Sequence, residues 1–400
     1  MSRYGEILRT PQVTPLVASS LLSRLPIGIN SLALVLFLSA KTGSFAIAGA
    51  VAGSLAAGSG LGAAFAGRLV DRVGARRVLV PLACIHAASL GGIVASAYAG
   101  LPAIVMIAFG VLAGAATPPT SSVMRSLWAD LLPPRLHQAA YALDSTLIEL
   151  IFITGPLLTA ALTALFSPAA ALVVSPLAAI GGTALFTAVP AAHGLEPHPD
   201  AHTAGPLGAL VSPGVRTLIL ISVPAGIGIG ILEVGIPGFS RIEGVPAAGG
   251  VLLAVWSFGS GIGGLAYGLL PRRAGLDRTH LLFAALLPLT FLLPATAPSV
   301  AAMALLVLPA GCMIAPLLAT RNELVARVAP ENARTEAYTW PVTAFVAGIA
   351  IGSALAGVLL EGPGWRTAFV VAAAIGFTGF LLAVARRKTL GRTSVRVRTL

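Results

Sequence analysis

Twelve long apolar runs organise this 400-residue chain. They cover approximately 14–39, 45–67, 78–98, 102–124, 139–165, 169–191, 216–239, 247–270, 280–296, 299–320, 337–360 and 366–385. Each is close to or above the ~20 residues needed to cross ~30 Å of hydrocarbon. Short stretches of Pro, Gly and charge separate them. With 56% hydrophobic and 10% charged residues, a soluble fold could not cover its own surface. The 45 Gly and 29 Pro fall largely inside the apolar runs, a habit of transmembrane helices. The run from 14 to 39 is too long for the apolar core of a cleaved signal peptide and reads as a retained first helix. The sequence thus predicts an all-α membrane protein with twelve transmembrane helices.

The placement of charge gives an orientation. Of the 25 Lys and Arg, only Lys41 and Lys388 are lysines. With the N-terminus in the cytoplasm, 21 of the 25 fall on the cytoplasmic side. Lys41, Arg241 and Arg366 fall outside, and Arg24 lies within the first span. Miscounting one span would invert every later loop, so both termini are expected in the cytoplasm. The basic tail from Arg386 to Arg398 reads as an anchor at anionic lipid. The net charge of +11 does not point to nucleic acid, because the charges lie between apolar runs and form no soluble basic face. The preference for Arg, with so much Ala and Gly, reads as a GC-rich bacterial genome and therefore an inner (plasma) membrane. Cys84 and Cys312 sit in apolar runs and read as small core residues, not as a disulfide or metal pair.

One connection stands apart. Residues 193–213 contain no Lys or Arg and are rich in Pro, His, Ala and Gly, so they read as a flexible linker between 1–192 and 214–400. His193, Glu196, His198, Asp200 and His202 match no strong metal spacing, and no metal or cofactor is expected. The flanking segments repeat one another. With an offset of 197, residues 113–155 align to 310–352 without a gap, matching Pro119 to Pro316, Tyr141 to Tyr338 and Gly155 to Gly352. With an offset of 201, Gly58-Ser59-Gly60-Leu61-Gly62 meets Gly259-Ser260-Gly261-Ile262-Gly263. Two six-helix bundles of the same orientation follow, an arrangement that belongs to transporters with a midplane site between the repeats.

The segment after the second span reads Gly67-Arg68-Leu69-Val70-Asp71-Arg72-Val73-Gly74-Ala75-Arg76-Arg77. It resembles the cytoplasmic loop signature of the major facilitator superfamily, G-x-L-x-D-R-x-G-R-R/K. Gly67, Leu69, Asp71, Arg72, Gly74 and Arg76 stand where the pattern requires them. Ala75 departs from it, and Arg77 offers a replacement cation. Residues 268–275 look like a degenerate copy, with Arg272 in place of the Asp. The resemblance implies the facilitator fold and a gating role for Asp71. In the fifth span, Gly155-Pro156-Leu157-Leu158-Thr159-Ala160 resembles in part the G-P-x-x-G-G ending associated with proton-driven exporters of that family, with Thr159 and Ala160 replacing the final glycines.

Charges inside spans are costly and therefore mark function. Arg24, Asp144, Glu149 and Glu233 are the four inside the predicted runs. Arg24 and Glu149 each lie ten residues past the cytoplasmic start of their run, about 15 Å deep. The resemblance makes the first and fifth spans neighbours, which allows an Arg24–Glu149 pair. Such a pair serves equally as a proton site or as a static ion pair. Asn30 and Ser31 are the polar cavity candidates near Arg24. Glu233 is either an interfacial carboxylate or a second protonation site.

The chain offers no HExxH motif, no Walker A loop and no credible triad, so an enzyme is not expected. The expected protein is a secondary active transporter working by alternating access, a monomer in the lipid bilayer. Its expected activity is proton-coupled export of small amphipathic or hydrophobic compounds. The alternatives are proton-coupled uptake of a small organic solute and a non-transporting membrane sensor or scaffold.

Overall fold

The computed structural model describes residues 3–194, 208–245, 248–271 and 274–391. The linker positions Glu196, His198, Asp200 and His202, the Arg272–Arg273 pair and the last arginines, 392–398, lie outside the described residues. A short helix, Arg3–Arg9, precedes twelve helices long and apolar enough to cross a membrane. These are Val13–Thr42, Ile47–Val73, Ala75–Tyr98, Ala103–Leu131, Pro134–Leu165, Pro168–Ala188, Pro213–Ile242, Ala248–Leu269, Leu276–Thr296, Val300–Val328, Glu331–Leu360 and Trp365–Ala385.

The count agrees with the sequence, but several helices outrun their apolar stretch. The fourth continues to Leu131 and the tenth to Val328, while the fifth begins at Pro134 and the eleventh span at Glu331. Hydropathy marks the hydrocarbon layer, whereas a helix persists as long as its backbone bonds and packing do. Proline at the first position favours the early start of the fifth helix, because no N–H is needed there. The consequence is that Arg125, Arg321 and Glu336, expected in loops, are buried helical residues.

Local chemistry sets the junctions. Gly74 alone separates the second and third helices, with φ +93° and ψ 150°, a conformation that glycine accepts without strain. The Ser44 hydroxyl caps the second helix by accepting from the Ile47 N–H, and Ser299 does the same for Ala302 in the tenth. The tight junction after the fifth span is the extended residue Ser167 followed by Pro168 at the helix start. The first, fourth and tenth spans are internally broken between α-helical segments. The first bends at Leu25, just before Pro26. The fourth is interrupted between Ala115 and Thr120, across Pro118-Pro119, and the tenth at Met313, shortly before Pro316. The breaks in the fourth and tenth spans fall at positions the 197-residue offset equates.

By internal packing the chain forms two compact units. One comprises Ile7–Leu131 with Leu150–Gly205, and the other Met1–Glu6, Leu132–Glu149 and Pro206–Leu400. The first is called the N-terminal unit below and the second the C-terminal unit. The core of the N-terminal unit gathers Ile29, Leu34, Phe37, Val51, Leu90 and Met106. That of the C-terminal unit gathers Leu232, Phe239, Trp256, Phe291, Met303 and Phe369. There the Phe239 and Trp365 rings meet edge to face with centroids 4.7 Å apart. Leu61, Phe65, Phe166, Leu305 and Val358 are exposed, as hydrocarbon-facing residues must be. Cys84 is exposed as well, contrary to the core position its apolar run suggested, and Cys312 is half-buried; neither is in a disulfide.

The repeated glycines do the same work in both units. A Cβ on Gly58 would lie 2.2 Å from the Val111 carbonyl oxygen, and one on Gly62 2.4 Å from that of Ala115. In the C-terminal unit, Gly259 and Gly263 meet the Leu308 and Cys312 carbonyls at 2.6 and 2.0 Å. The matched glycines therefore let the second span cross the fourth, and the eighth cross the tenth, backbone against backbone.

Candidate functional site

The C-terminal unit contains the first half of the fifth helix, Leu132–Glu149, laid along the eighth. Gln138, Thr146 and Glu149 meet the eighth helix. Gln138 Nε2 donates to the carbonyls of Tyr267 at 2.6 Å and Leu270 at 3.0 Å. Two turns on, Thr146 Oγ1 occupies the space beside Gly264, where an added Cβ would stand 2.5 Å away. Farther along, the Ser260 hydroxyl donates to Glu149 Oε1 at 2.9 Å. On the eighth helix Ser260, Gly264 and Gly268 are spaced by four and form a strip of small residues that faces Glu149, Thr146 and Ala142.

The same segment also meets the eleventh span. Tyr141 and Tyr338 are fully buried, with their hydroxyls 2.6 Å apart. The N-terminal helix closes over the end of this assembly. Tyr4 donates to the Leu265 carbonyl at 3.0 Å, and Arg135 pairs with Glu6 at 2.5 Å. Burial pushes the Tyr4 hydroxyl up to about 12, while the Arg135 guanidinium holds the Glu6 carboxyl below its ordinary range.

Glu149 lies 15 residues past Pro134 in a 32-residue helix, near its middle. The sequence boundaries gave ten, and the difference is the helix's early start. Asp144, one and a half turns earlier, is buried in the same unit. Glu233 lies 20 residues past Pro213 in a 30-residue helix and is exposed.

The N-terminal unit holds the other candidates. Arg24 is buried as the last residue before the break at Leu25. Beside it Ser23 links by its hydroxyl to Thr120 and Thr183, each at 2.8 Å, joining the first, fourth and sixth spans. Asn30 is buried in a second network. It receives the Ser175 hydroxyl on Oδ1 and sends Nδ2 to His86 Nε2 at 3.2 Å. His86 Nδ1 lies 2.7 Å from the Ala113 carbonyl, so its proton sits on Nδ1 and the ring is satisfied on both sides. Asn30 is thus a bundle-interior residue, whereas Ser31, next in sequence, is exposed.

The major facilitator superfamily profile matches residues 16–287 and 218–398. The chain belongs to the major facilitator superfamily. The fold agrees at low sequence identity. A bacterial homologue of the iron transporter ferroportin, in an outward-facing state, superposes with a TM-score of 0.78 at 15% identity, covering 94% of this chain and 99% of that one. The human organic anion transporter MFSD10 gives 0.72 at 19%, covering 93% and 99%. The E. coli fucose:proton symporter FucP gives 0.70 at 14%, covering 94% and 99%. No curated protein sequence matches.

In this facilitator the signature spanning Gly67 to Arg77 is almost all helix. Gly67, Leu69, Asp71 and Arg72 occupy the last turns of the second span, and Arg76 and Arg77 are exposed on the first turn of the third. Gly74 supplies the whole turn. Gly155 has a packing role: its added Cβ would stand 2.5 Å from the Gly28 backbone, so the first and fifth spans cross at two glycines. Pro156 follows inside the unbroken fifth helix, and the Thr159 hydroxyl donates to the Gly155 carbonyl at 2.9 Å. Sequence reasoning missed Gln138, Ser260, His280 and Arg321. The repeat did flag Tyr141 and Tyr338, but a matched pair of tyrosines carries no chemistry until they are seen to touch.

Proposed function

We propose that this facilitator is a proton-coupled exporter of small amphipathic or hydrophobic compounds, with Glu149 as its proton carrier. The observation that carries this is the Ser260 hydroxyl on the Glu149 carboxylate. A hydroxyl can donate to a carboxylate or rotate to accept from a carboxylic acid. The site therefore tolerates both protonation states without leaving a buried polar atom unmatched. Arg24, buried at the break in the first span, is a second candidate for the substrate or proton pathway. Asp71 and its signature neighbours form the gate, and the Gly155-Pro156 pair supports export. The protein would work as a monomer in a bacterial inner membrane, with the linker 193–213 and both termini in the cytoplasm.

Uptake is the second reading, supported by the fold's likeness to the proton symporters for fucose and for xylose. Proteoliposomes loaded with a pH-sensitive dye and challenged with a panel of amphipathic fluorescent compounds separate the readings. Export predicts protein-dependent, substrate-stimulated proton movement opposite to substrate flux, abolished in Glu149→Gln. Movement of both in the same direction would establish uptake, and full pH-driven flux in Glu149→Gln would remove Glu149 from the mechanism.

A further inference from the structure

The first turn of the short helix Arg3–Arg9 lies over the end of the eighth helix. The chain up to Glu6 packs within the C-terminal unit, while Ile7–Leu131 belongs to the other. What Arg3 and Tyr4 meet is an unfinished helix end. The last four carbonyls of an α-helix have no N–H partner inside it, and that end carries partial negative charge. The eighth helix stops at Leu269. The Leu270 N–H satisfies the Ala266 carbonyl, and Gln138 of the fifth helix covers those of Tyr267 and Leu270. Arg3 Nη1 adds a second donor to Leu270 at 3.3 Å and sets a cation at the negative end of the helix. The Tyr4 hydroxyl donates to Leu265 at 3.0 Å.

The seat is shaped for this segment. A Cβ on Gly268 would stand 2.0 Å from the Tyr4 hydroxyl oxygen, so the glycine leaves the notch that the tyrosine fills. Glu6 reaches the other way. It pairs with Arg135, on the first turn of the fifth helix. One short segment therefore holds two helices, the eighth through Arg3 and Tyr4 and the fifth through Glu6. The hold is light. Glu6 and Arg135 are 39% and 66% exposed, and an exposed ion pair adds little. Such contacts can be undone locally while the core stays folded.

We propose that Arg3–Glu6 is a strap. Docked, it clamps the start of the fifth helix against the end of the eighth; released, it lets that end of the packing open. Gln138, which bonds beside the strap, lies 11 residues, or about three turns, before Glu149 on the same helix. The strap does not touch Glu149 and assigns no substrate or ion, so it stands apart from the proton reading.

The test uses the full chain in lipid nanodiscs, with Cys84 and Cys312 replaced by serine. Spin labels go on cysteines placed at Pro133 and Leu269, both exposed, and pulsed EPR reads the distance between them. Tyr4→Ala with Glu6→Ala should raise the ratio of separated to closed molecules about two- to tenfold, the loss of one or two weak hydrogen bonds. Arg135→Glu, which sets two carboxylates against each other, should do the same. Adding Glu6→Arg to it restores an ion pair with the charges exchanged and should bring the short distance back. An unchanged distribution in the first variant would overturn the proposal. So would a shift in Arg135→Glu that Glu6→Arg does not reverse, since it would place the effect in the fifth helix itself.

Discussion

Tyr141 and Tyr338 share a hydrogen bond of 2.6 Å, and they stand 197 positions apart, the offset at which the two sequence repeats align. Their rings are tilted by 35° with centroids 6.4 Å apart, leaving the hydroxyls as the point of contact. The pair lies in the C-terminal unit, where the early turns of the fifth helix pack on the eighth and eleventh spans.

Removing either hydroxyl tests how far the pair holds that packing. Tyr141→Phe and Tyr338→Phe should each lower stability by about 0.5–1.5 kcal/mol. The double variant should cost less than the sum of the two, because the shared bond can be lost only once. Thermal unfolding of the three variants in detergent reads this directly. Strict additivity would show that the hydroxyls act independently.

The contact between the fifth and eighth helices makes a sharper steric prediction. An added Cβ at Gly264 would stand 2.5 Å from Thr146 Oγ1 and 2.9 Å from the Ala315 Cβ. Gly264→Ala should therefore force the helices apart and reduce transport. The nearest obstacle is a side-chain oxygen, so Thr146→Ala in the same chain should restore much of the loss. Crosslinking between cysteines placed at Ala142 and Leu265 measures the separation without reference to substrate. No rescue by Thr146→Ala would place the strain on the Ala315 side.

The twelve helices were legible because they rest on composition and short-range spacing, and the repeated glycines were legible as a match between the two segments, though not as helix crossings. Gly58, Gly62, Gly259 and Gly263 could be paired by offset alone, and the structure gives each pair the same carbonyl contacts. Arg125 and Arg321 were hidden for a physical reason. Apolarity ends before the helix does, so a charged residue in the last turns looks like a loop residue although tertiary packing buries it. Ser260 was legible as a repeat position, but its hydrogen bond to Glu149 depends on a pairing between distant helices that no local pattern encodes. Asn30 and Ser31 show that closeness to Arg24 in sequence does not set which way a side chain faces. They are adjacent in a span bent at Leu25, and only Asn30 is buried.

The turn at Gly74 gives a prediction about folding. Its φ of +93° with ψ of 150° is nearly closed to residues with a Cβ, at a cost of about 1–3 kcal/mol. Gly74→Ala should lower thermal stability by that order without altering any side-chain chemistry of the signature. Asp71→Asn should do the reverse, leaving stability close to wild type and impairing transport. Equal stability of Gly74→Ala and wild type would mean that the junction rearranges at no cost.

The N-terminal helix should detach at both extremes of pH, for opposite reasons. The Glu6 carboxyl is held below its ordinary value by Arg135, so its contribution is complete above the unfolded carboxylate value and fades as pH falls through the folded one. The Tyr4 hydroxyl is raised from 10.0 to about 12 by burial. Its contribution is complete below pH 10 and is lost as pH rises through about 12. Tyr4 therefore keeps its proton, and its donation to the Leu265 carbonyl, across the physiological range. Carbon-13 labelling of the Tyr4 ring and the Glu6 carboxyl follows both titrations by NMR. The tyrosine midpoint should lie near 12 and the carboxyl midpoint below the ordinary glutamate value, with Arg135→Ala returning the second to normal. A Tyr4 midpoint near 10 would mean that the helix does not rest on the eighth span in solution.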